Sequence, residues 1–162
     1  MAKHLERLAL PDLSGDVALV TGAGRGIGKA IALALAAARV ILTARTASEL
    51  DQARAEIESA GGHGLAVTTD VSDLAAVASL VEQAEASFGP ISVLVNNAGV
   101  LEPVGVLWEV DPYEWWHNLE VNLRGPFLCT RAVLPGMISR GRGRITNLAS
   151  GAAKVPIADA TA

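Results

Sequence analysis

Apolar and polar positions fall into alternating blocks along the chain, and the blocks are of two kinds. Short runs rich in valine, leucine and isoleucine are followed by longer stretches in which apolar residues recur with helical spacing. The short runs predict strands at 17–21, 40–44, 65–69, 91–95 and 144–149. The longer stretches predict helices at 26–38, 48–60, 73–88 and 112–139. This alternation predicts an α/β fold with a doubly wound parallel sheet and right-handed crossovers.

Residues that favour helix ends mark the boundaries of these helices. Thr46 and Glu49 have the spacing of a capping box at the start of the second helix. Ser72 is the expected N-cap of the third helix. Asp111 is the expected cap of the fourth, with Pro112 at its first position. No glycine separates the first helix from the second strand, so we expect the last turn of that helix to unwind.

Length and composition narrow the class of protein. The chain has 162 residues, of which 51% are hydrophobic and 4% aromatic, which suits a sheet buried between helices. The net charge of −4 and the lack of an apolar leader give no reason to expect nucleic acid, a membrane or export. Cys129 has no partner for an internal disulfide, which fits a cytoplasmic protein. We expect a single domain over 1–162, with residues 1–14 as an N-terminal arm.

The glycine-rich segment between the first strand and the first helix is the first candidate site. Gly22 allows a turn with positive φ, Gly26 lets the backbone approach a pyrophosphate, and Gly28 lets the helix lie close to the strand. The N–H groups at the start of the helix favour phosphate. A glycine-rich turn that binds nothing is the alternative. The residues expected to bind a dinucleotide here are Gly22, Arg25, Gly26, Ile27 and Gly28.

Two arginines indicate which dinucleotide is preferred. In an NAD(H) site, a carboxylate near the end of the second strand accepts a hydrogen bond from the ribose 2′-hydroxyl, whereas a 2′-phosphate requires a cation. Here Ala44 stands where the acid is expected and Arg45 follows it, while Arg25 lies in the glycine turn. We therefore expect NADP(H) rather than NAD(H). The alternative is that both arginines are solvated surface residues.

Several motifs together resemble the short-chain dehydrogenase/reductase family. They are the spacing Gly22-x-x-x-Gly26-x-Gly28 after Thr21, the pair Asp70-Val71 after the third strand, and Asn97-Ala98-Gly99 after the fourth. The resemblance covers most of the chain. It implies a Rossmann-type domain that transfers a hydride between NADP(H) and a small carbonyl or alcohol substrate. It also implies a homo-oligomer, either a dimer or a tetramer.

The resemblance implies roles for the motifs that follow the third and fourth strands. Asp70 is expected to accept a hydrogen bond from the adenine amino group, and Val71 to supply backbone contacts. A simple turn after a strand is the alternative for Asp70. Asn97, Ala98 and Gly99 are expected to pass beneath the ribose on the nicotinamide side, where asparagine amides also tie strand ends together.

Asn122 and Ser150 are the candidate catalytic residues. By resemblance, Asn122 kinks the long helix and holds a water in a proton relay, while Ser150 polarises the substrate oxygen at the end of the fifth strand. A buried structural asparagine is the alternative for Asn122. The family's Tyr-x-x-x-Lys acid/base motif would begin beyond Ala162, and Tyr113 does not match it. We therefore expect the sheet to lack its C-terminal strands and the 162-residue chain itself to be inactive.

Other classes of function compete with an oxidoreductase. A truncated, catalytically inactive NADP-binding module would carry the same cofactor motifs. A nucleotide-dependent methyltransferase is more distant, because it would want an acid at the end of the second strand, where this chain has Arg45. His4, His63 and His117 lack the spacing of metal ligands, so no metal site is expected.

Overall fold

A parallel five-stranded sheet with helices on both faces forms the part of the chain that the structure describes. The computed structural model describes residues 12–150. The strands are β1 Val17–Thr21, β2 Arg39–Ala44, β3 His63–Thr68, β4 Val93–Asn96 and β5 Arg144–Asn147. The helices are α1 Gly26–Ala34, α2 Ala47–Ser59, α3 Leu74–Phe88, α4 Pro112–Leu119 and α5 Gly125–Ser139, and a π-helical segment at Glu120–Arg124 joins α4 to α5. The predicted doubly wound α/β fold of Rossmann type is therefore confirmed.

The order of the strands creates a crevice between β1 and β4, at their carboxyl ends. The order is β3-β2-β1-β4-β5, and all neighbouring strands are parallel. The chain winds outward from β1 to β3 and then crosses back to place β4 on the other side of β1. The connections after β1 and β4 consequently leave the sheet toward opposite faces. Open α/β sheets bind ligands at this switch point, beyond the carboxyl ends of the strands.

Alternating side chains of β1 feed two separate cores. Leu19 belongs to the core that includes side chains of α3 and α5, and Val20 belongs to the core that includes side chains of α1 and α2. Both residues are fully buried. Each such side chain contributes about 1.5–3 kcal/mol through burial. Because β1 is packed on both faces, the loop that follows it starts from a fixed position.

Two predictions about helix ends were correct and two were wrong. Helix α1 ends at Ala34 and turns connect it to β2, as the missing glycine predicted. Asp111 caps α4 by accepting hydrogen bonds from two backbone N–H groups. Asp73, not Ser72, caps α3: its carboxylate accepts from two backbone N–H groups of the first turn, while the Ser72 hydroxyl donates to Asp70. Thr46 occupies the N-cap position of α2, but its side chain makes no capping bond, so that half of the predicted box does not form.

Some expectations fall partly beyond the described structure. Residues 1–11 of the predicted arm and everything after Ser150 lie outside the described residues. At the start of the described chain, Ser14 donates its N–H to the Asp12 carboxylate and Asp16 donates its N–H to the Leu13 carbonyl, which forms a turn before β1. No helix within 12–150 combines the length and apolarity needed to cross a membrane.

Candidate functional site

The glycine turn between β1 and α1 is the centre of the candidate site. Gly22 and Gly26 have φ angles of 64° and 58°, a region that favours glycine. Helix α1 begins at Gly26, and the preceding Arg25 makes no side-chain capping bond. Its first N–H groups are therefore left without a side-chain cap. A Cβ at Gly28 would overlap the Gly22 carbonyl and the Asn97 amide, so the close packing of α1 on the strand ends depends on this glycine.

Thr21 and Asn97 lock the ends of β1 and β4 together. The Thr21 hydroxyl oxygen accepts hydrogen bonds from the N–H groups of Asn97 and Ala98, each at 3.0 Å. The Asn97 side-chain amide donates to the carbonyls of Thr21 at 2.9 Å and Gly22 at 3.2 Å. Asn97 therefore fixes the glycine turn, and the expectation that its amide ties strand ends together is met.

A cleft of about 350 Å³ lies at the carboxyl ends of the strands. Its lining brings together segments that are far apart in the sequence: the glycine turn, the end of β2, the residues after β3 and those after β4. The eleven predicted cofactor residues all line it: Gly22, Arg25, Gly26, Ile27, Gly28, Arg45, Asp70, Val71, Asn97, Ala98 and Gly99. The sequence motifs thus converge on one cavity.

Charges of both signs meet at the β2 end of the cleft. Arg25 and Arg45 both line it and both are exposed. Glu49 lines it as well, and its carboxylate lies 3.7 Å from Nε of Arg25. Strand β2 ends at Ala44, which has no carboxylate. Glu49 belongs to helix α2, so the carboxylate at this end of the cleft comes from the helix and not from the strand. The motifs alone did not indicate this acid, because its first-turn position suggested a capping role.

Asp70 is held ionised beside this end of the cleft. The Ser72 hydroxyl donates to its carboxylate at 2.7 Å, and the Ser72 N–H donates to the same oxygen at 2.9 Å. Partial burial raises the pKa of Asp70, but the two bonds from Ser72 and the charges of Arg45 and His117 outweigh it and lower the pKa below its usual value. Asp70 is therefore an acceptor, able to receive a hydrogen bond from a ligand amino group.

Asn122 and Asn118 anchor the loop that leaves the other end of the cleft. The Asn122 carbonyl oxygen accepts from the Val100 N–H at 2.9 Å, and its amide donates to the Val100 carbonyl at 2.7 Å. Asn118 is buried, donates to the Val100 and Glu102 carbonyls, and accepts from the Asn122 amide at 2.7 Å. Asn122 itself is exposed, so it is not the buried residue of the alternative interpretation.

The two candidate catalytic residues lie differently with respect to the cleft. A Cβ at Gly99 would be 3.2 Å from the side-chain oxygen of Asn122, so Asn122 lies next to a residue that lines the cleft. Ser150 follows β5 and is exposed, and it is not part of the lining. The structure therefore gathers the eleven cofactor residues and Asn122, but not Ser150.

Glu49 and Asn118 are site residues that the motifs did not single out, whereas Thr21 belongs to the glycine motif but was assigned no role of its own. Asn118 lies four positions before Asn122 on the same helical face, which is the available signal for it. Cys129 is buried, and burial raises the pKa of its thiol to about 11, so it cannot serve as a nucleophile. Within residues 12–150, no group of three histidine, cysteine or acidic side chains could hold a metal ion.

The known proteins that this chain resembles are short-chain dehydrogenases and reductases. A family model described as short chain dehydrogenase matches residues 16–162. The 3-oxoacyl-[acyl-carrier-protein] reductase of Synechocystis sp. is 42% identical over 141 residues, which are 85% of this chain and 57% of the reductase. The chain spans about half the length of the curated relatives that it matches.

Two solved structures are similar in both fold and sequence. A metagenomic short-chain oxidoreductase in complex with NADP has a TM-score of 0.88 and 45% identity, covering 93% of this chain and 69% of that one. NAD+-bound xylitol dehydrogenase has a TM-score of 0.89 and 32% identity, covering 93% of this chain and 58% of that one. The similar structures thus include proteins with each of the two nicotinamide dinucleotides.

Proposed function

The chain belongs to the short-chain dehydrogenase/reductase family, and from that premise we propose that it is the cofactor-binding part of an NADP(H)-dependent oxidoreductase acting on a small carbonyl or alcohol compound. The observation that carries the proposal is the convergence of eleven motif residues on one cleft at the switch point of the sheet. The proposed domain is single and covers 1–162.

The residues of the cleft fit a dinucleotide phosphate. The uncapped N–H groups at the start of α1 suit the pyrophosphate, because they add hydrogen-bond donors to the positive end of the helix dipole. Gly28 supports this role, since a side chain there would push α1 away from the strand ends. Arg25 and Arg45 suit a 2′-phosphate, and the ionised Asp70 suits the adenine amino group.

The reaction end of the site is assigned to Asn97–Gly99, Asn122 and Ser150. NADPH, when bound, supplies the hydride. Asn122 holds the loop at Val100 and is proposed to position a water for proton transfer. Ser150 is proposed to donate a hydrogen bond to the substrate oxygen, as an oxyanion-type donor does. Tyr113 is the one tyrosine of the sequence and lies in the first turn of helix α4. We therefore assign no acid/base group within 1–162 and propose that this chain binds cofactor without turnover.

Cofactor preference is tested by titrating NADP+ and NAD+ into the chain by calorimetry. The wild type is expected to bind NADP+ more tightly. Arg45→Asp replaces a cation with an anion beside the 2′-phosphate and is expected to shift the ratio of affinities by about tenfold or more toward NAD+. Arg131→Asp makes the same change on an exposed position of α5 outside the cleft and is the control. Equal affinity of the wild type for both would contradict the preference.

The chemistry is tested by NADPH oxidation with a panel of ketones. The 162-residue chain is expected to show none. A chimera in which residues 1–150 replace the matching part of a full-length reductase relative is expected to be active, and Ser150→Ala in it should lower turnover on the order of 10²-fold. Turnover by the 162-residue chain alone would contradict the proposal that residues 1–162 contain no acid/base group. An active chimera that Ser150→Ala leaves unaffected would overturn the role of the serine.

A further inference from the structure

Glu49 lies where the end of strand β2 lacks an acid. A Cβ built on Gly24 would be 2.9 Å from the Glu49 Cβ, 3.0 Å from its Oε2 and 3.7 Å from the Ala44 Cβ. Gly24 therefore leaves room for the Glu49 side chain to lie over the glycine turn, close to the end of β2. Ala44, Arg45 and Glu49 line the same part of the cleft. The carboxylate that the strand does not supply thus arrives from the first turn of helix α2.

The Glu49 carboxylate pairs with Arg25, and this ion pair is easily broken. Their closest approach is 3.7 Å, and the two side chains are 85% and 38% exposed for Arg25 and Glu49 respectively. A solvated ion pair of this kind is weak and screened by salt. Thr46 makes no capping bond, so no reciprocal capping box is completed with Glu49.

We propose that Glu49 is a determinant of cofactor choice, because it supplies at the ribose 2′ position the acceptor that Ala44 lacks. This inference rests on the proposed function. Toward NAD(H), Glu49 accepts a hydrogen bond from the 2′-hydroxyl. Toward NADP(H), it repels the 2′-phosphate and competes with that phosphate for Arg25. Arg25 and Arg45 favour NADP(H), whereas Glu49 favours NAD(H). The cleft therefore binds both dinucleotides, and Glu49 reduces its preference for NADP(H).

The test is calorimetric titration of NADP+ and NAD+ into the wild-type chain and Glu49→Gln. The glutamine keeps the size of the side chain and removes its charge. We expect Glu49→Gln to bind NADP+ about fivefold more tightly and NAD+ more weakly, with the gain for NADP+ shrinking as salt is raised from 0.02 to about 0.5 M. Glu58→Gln removes the same charge from the exposed far end of α2, outside the cleft, and is expected to change neither affinity.

The outcomes separate this inference from the proposed function. If the wild-type chain binds neither dinucleotide, the proposed function fails. If the wild type prefers NADP+ and Glu49→Gln leaves the ratio of the two affinities unchanged, the proposed function survives and the role of Glu49 is overturned. An equal shift in Glu58→Gln would also overturn it, because the effect would then come from net charge and not from a carboxylate at the 2′ position.

Discussion

Gly28 shows how one residue sets the spacing between the helix and the strands that form the cleft. Gly28→Ala adds a Cβ that would overlap backbone at Gly22 and the Asn97 amide, which itself holds β1 to β4. We expect the substitution to lower the free energy of unfolding by about 1–3 kcal/mol, the range for overpacking, and to weaken NADPH binding. Urea denaturation and fluorescence titration measure the two effects.

A matched glycine separates this packing effect from the general effect of alanine. Gly15→Ala makes the same change before β1, where a Cβ would meet no atom within 4 Å. We expect its stability to equal or slightly exceed that of the wild type, because alanine restricts the unfolded chain. If Gly28→Ala were as stable as Gly15→Ala, the close approach of α1 would not be needed for the fold.

Asp70 predicts how stability depends on acid pH. Burial raises the pKa of Asp70 in the folded protein, but Ser72, Arg45 and His117 lower it by more, so the pKa lies below its usual value. The folded state therefore binds this proton less readily than the unfolded state. The resulting stabilisation is full above the unfolded pKa, near 4, and is lost as pH falls through the lower folded value.

Asp70→Asn removes this titration. Urea midpoints measured between pH 6 and pH 3 should fall more steeply for the wild type than for Asp70→Asn. Ser72→Ala, which removes the strongest hydrogen-bond donor to the carboxylate, should lie between them. Parallel curves for the wild type and Asp70→Asn would mean that Asp70 titrates alike in both states.

Sequence motifs identified those cleft residues that act through their own backbone conformation or through a local turn. Gly22, Gly26 and Gly28 are examples, because positive φ and close approach follow from glycine itself. Glu49 and Asn118 were missed for the opposite reason: the partners of Asn118 lie 16 and 18 positions earlier, and Glu49 meets Arg25 across two elements. Such contacts depend on the fold and cannot be predicted from spacing alone.

At the scale of elements, the helical run from 112 to 139 carries the loop that borders the cleft. The π-helical segment contains Asn122, and one turn earlier Asn118 donates to two loop carbonyls. A π-helical turn changes the helical register, and such turns are frequent at functional sites. The family resemblance implied that Asn122 kinks the helix, but not that a second asparagine, Asn118, would hydrogen-bond to it.

Asn118→Leu tests this arrangement. Leucine is similar in volume but leaves the Val100 and Glu102 carbonyls and the Asn122 amide without that partner. We expect a loss of about 1–3 kcal/mol in the free energy of unfolding, and faster amide exchange at Val100. Gln83→Leu, which removes an exposed amide bonded to Ser79 on α3, should cost little. Equal stability of the two variants would contradict a structural role for the Asn118 bonds.

Strand ends were the least accurate part of the predicted fold. Strand β4 was predicted from residue 91 but begins at Val93. Ile91 is buried as a strand residue would be, yet its N–H bonds to the Glu85 carboxylate and its carbonyl to the Arg140 side chain. Strand β5 ends at Asn147 rather than at residue 149. Apolar patterning detects burial, and burial extends beyond the hydrogen-bonded ladder.

At the scale of the whole molecule, one face of the helical run is apolar and exposed. The sequence indicates Val121, Phe127, Leu128 and Val133 as candidates for such a patch. Phe127 is exposed, as expected, whereas Val121, Leu128 and Val133 are 6%, 5% and 1% exposed and belong to the core. Three further residues complete the exposed face: Leu123, Leu134 and Ile138. Strand β5 lies beside it and, within the described residues, pairs only with β4. Exposed apolar surface of this kind favours association with another chain.

We expect the chain to self-associate through this face, in keeping with the homo-oligomer that the family resemblance implies. Sedimentation velocity over a range of concentrations should show association of the wild type. Phe127→Glu places a charge at the centre of the face and should shift the protein toward monomer. Leu101→Glu changes an exposed apolar residue of the loop after β4, which is 74% exposed against 61% for Phe127, and is the control. A wild type that stays monomeric at all concentrations would contradict the expectation.

We expect the cleft at the carboxyl ends of the strands to bind a phosphorylated nicotinamide dinucleotide. An NMR titration of the ¹⁵N-labelled chain with NADPH tests it most directly, because backbone amides report the location of the ligand. We expect saturable shifts at residues 22–28, 45, 70–71 and 97–99, and none on the outer face of α5. A lack of saturable shifts, or shifts confined to surfaces outside the cleft, would contradict it.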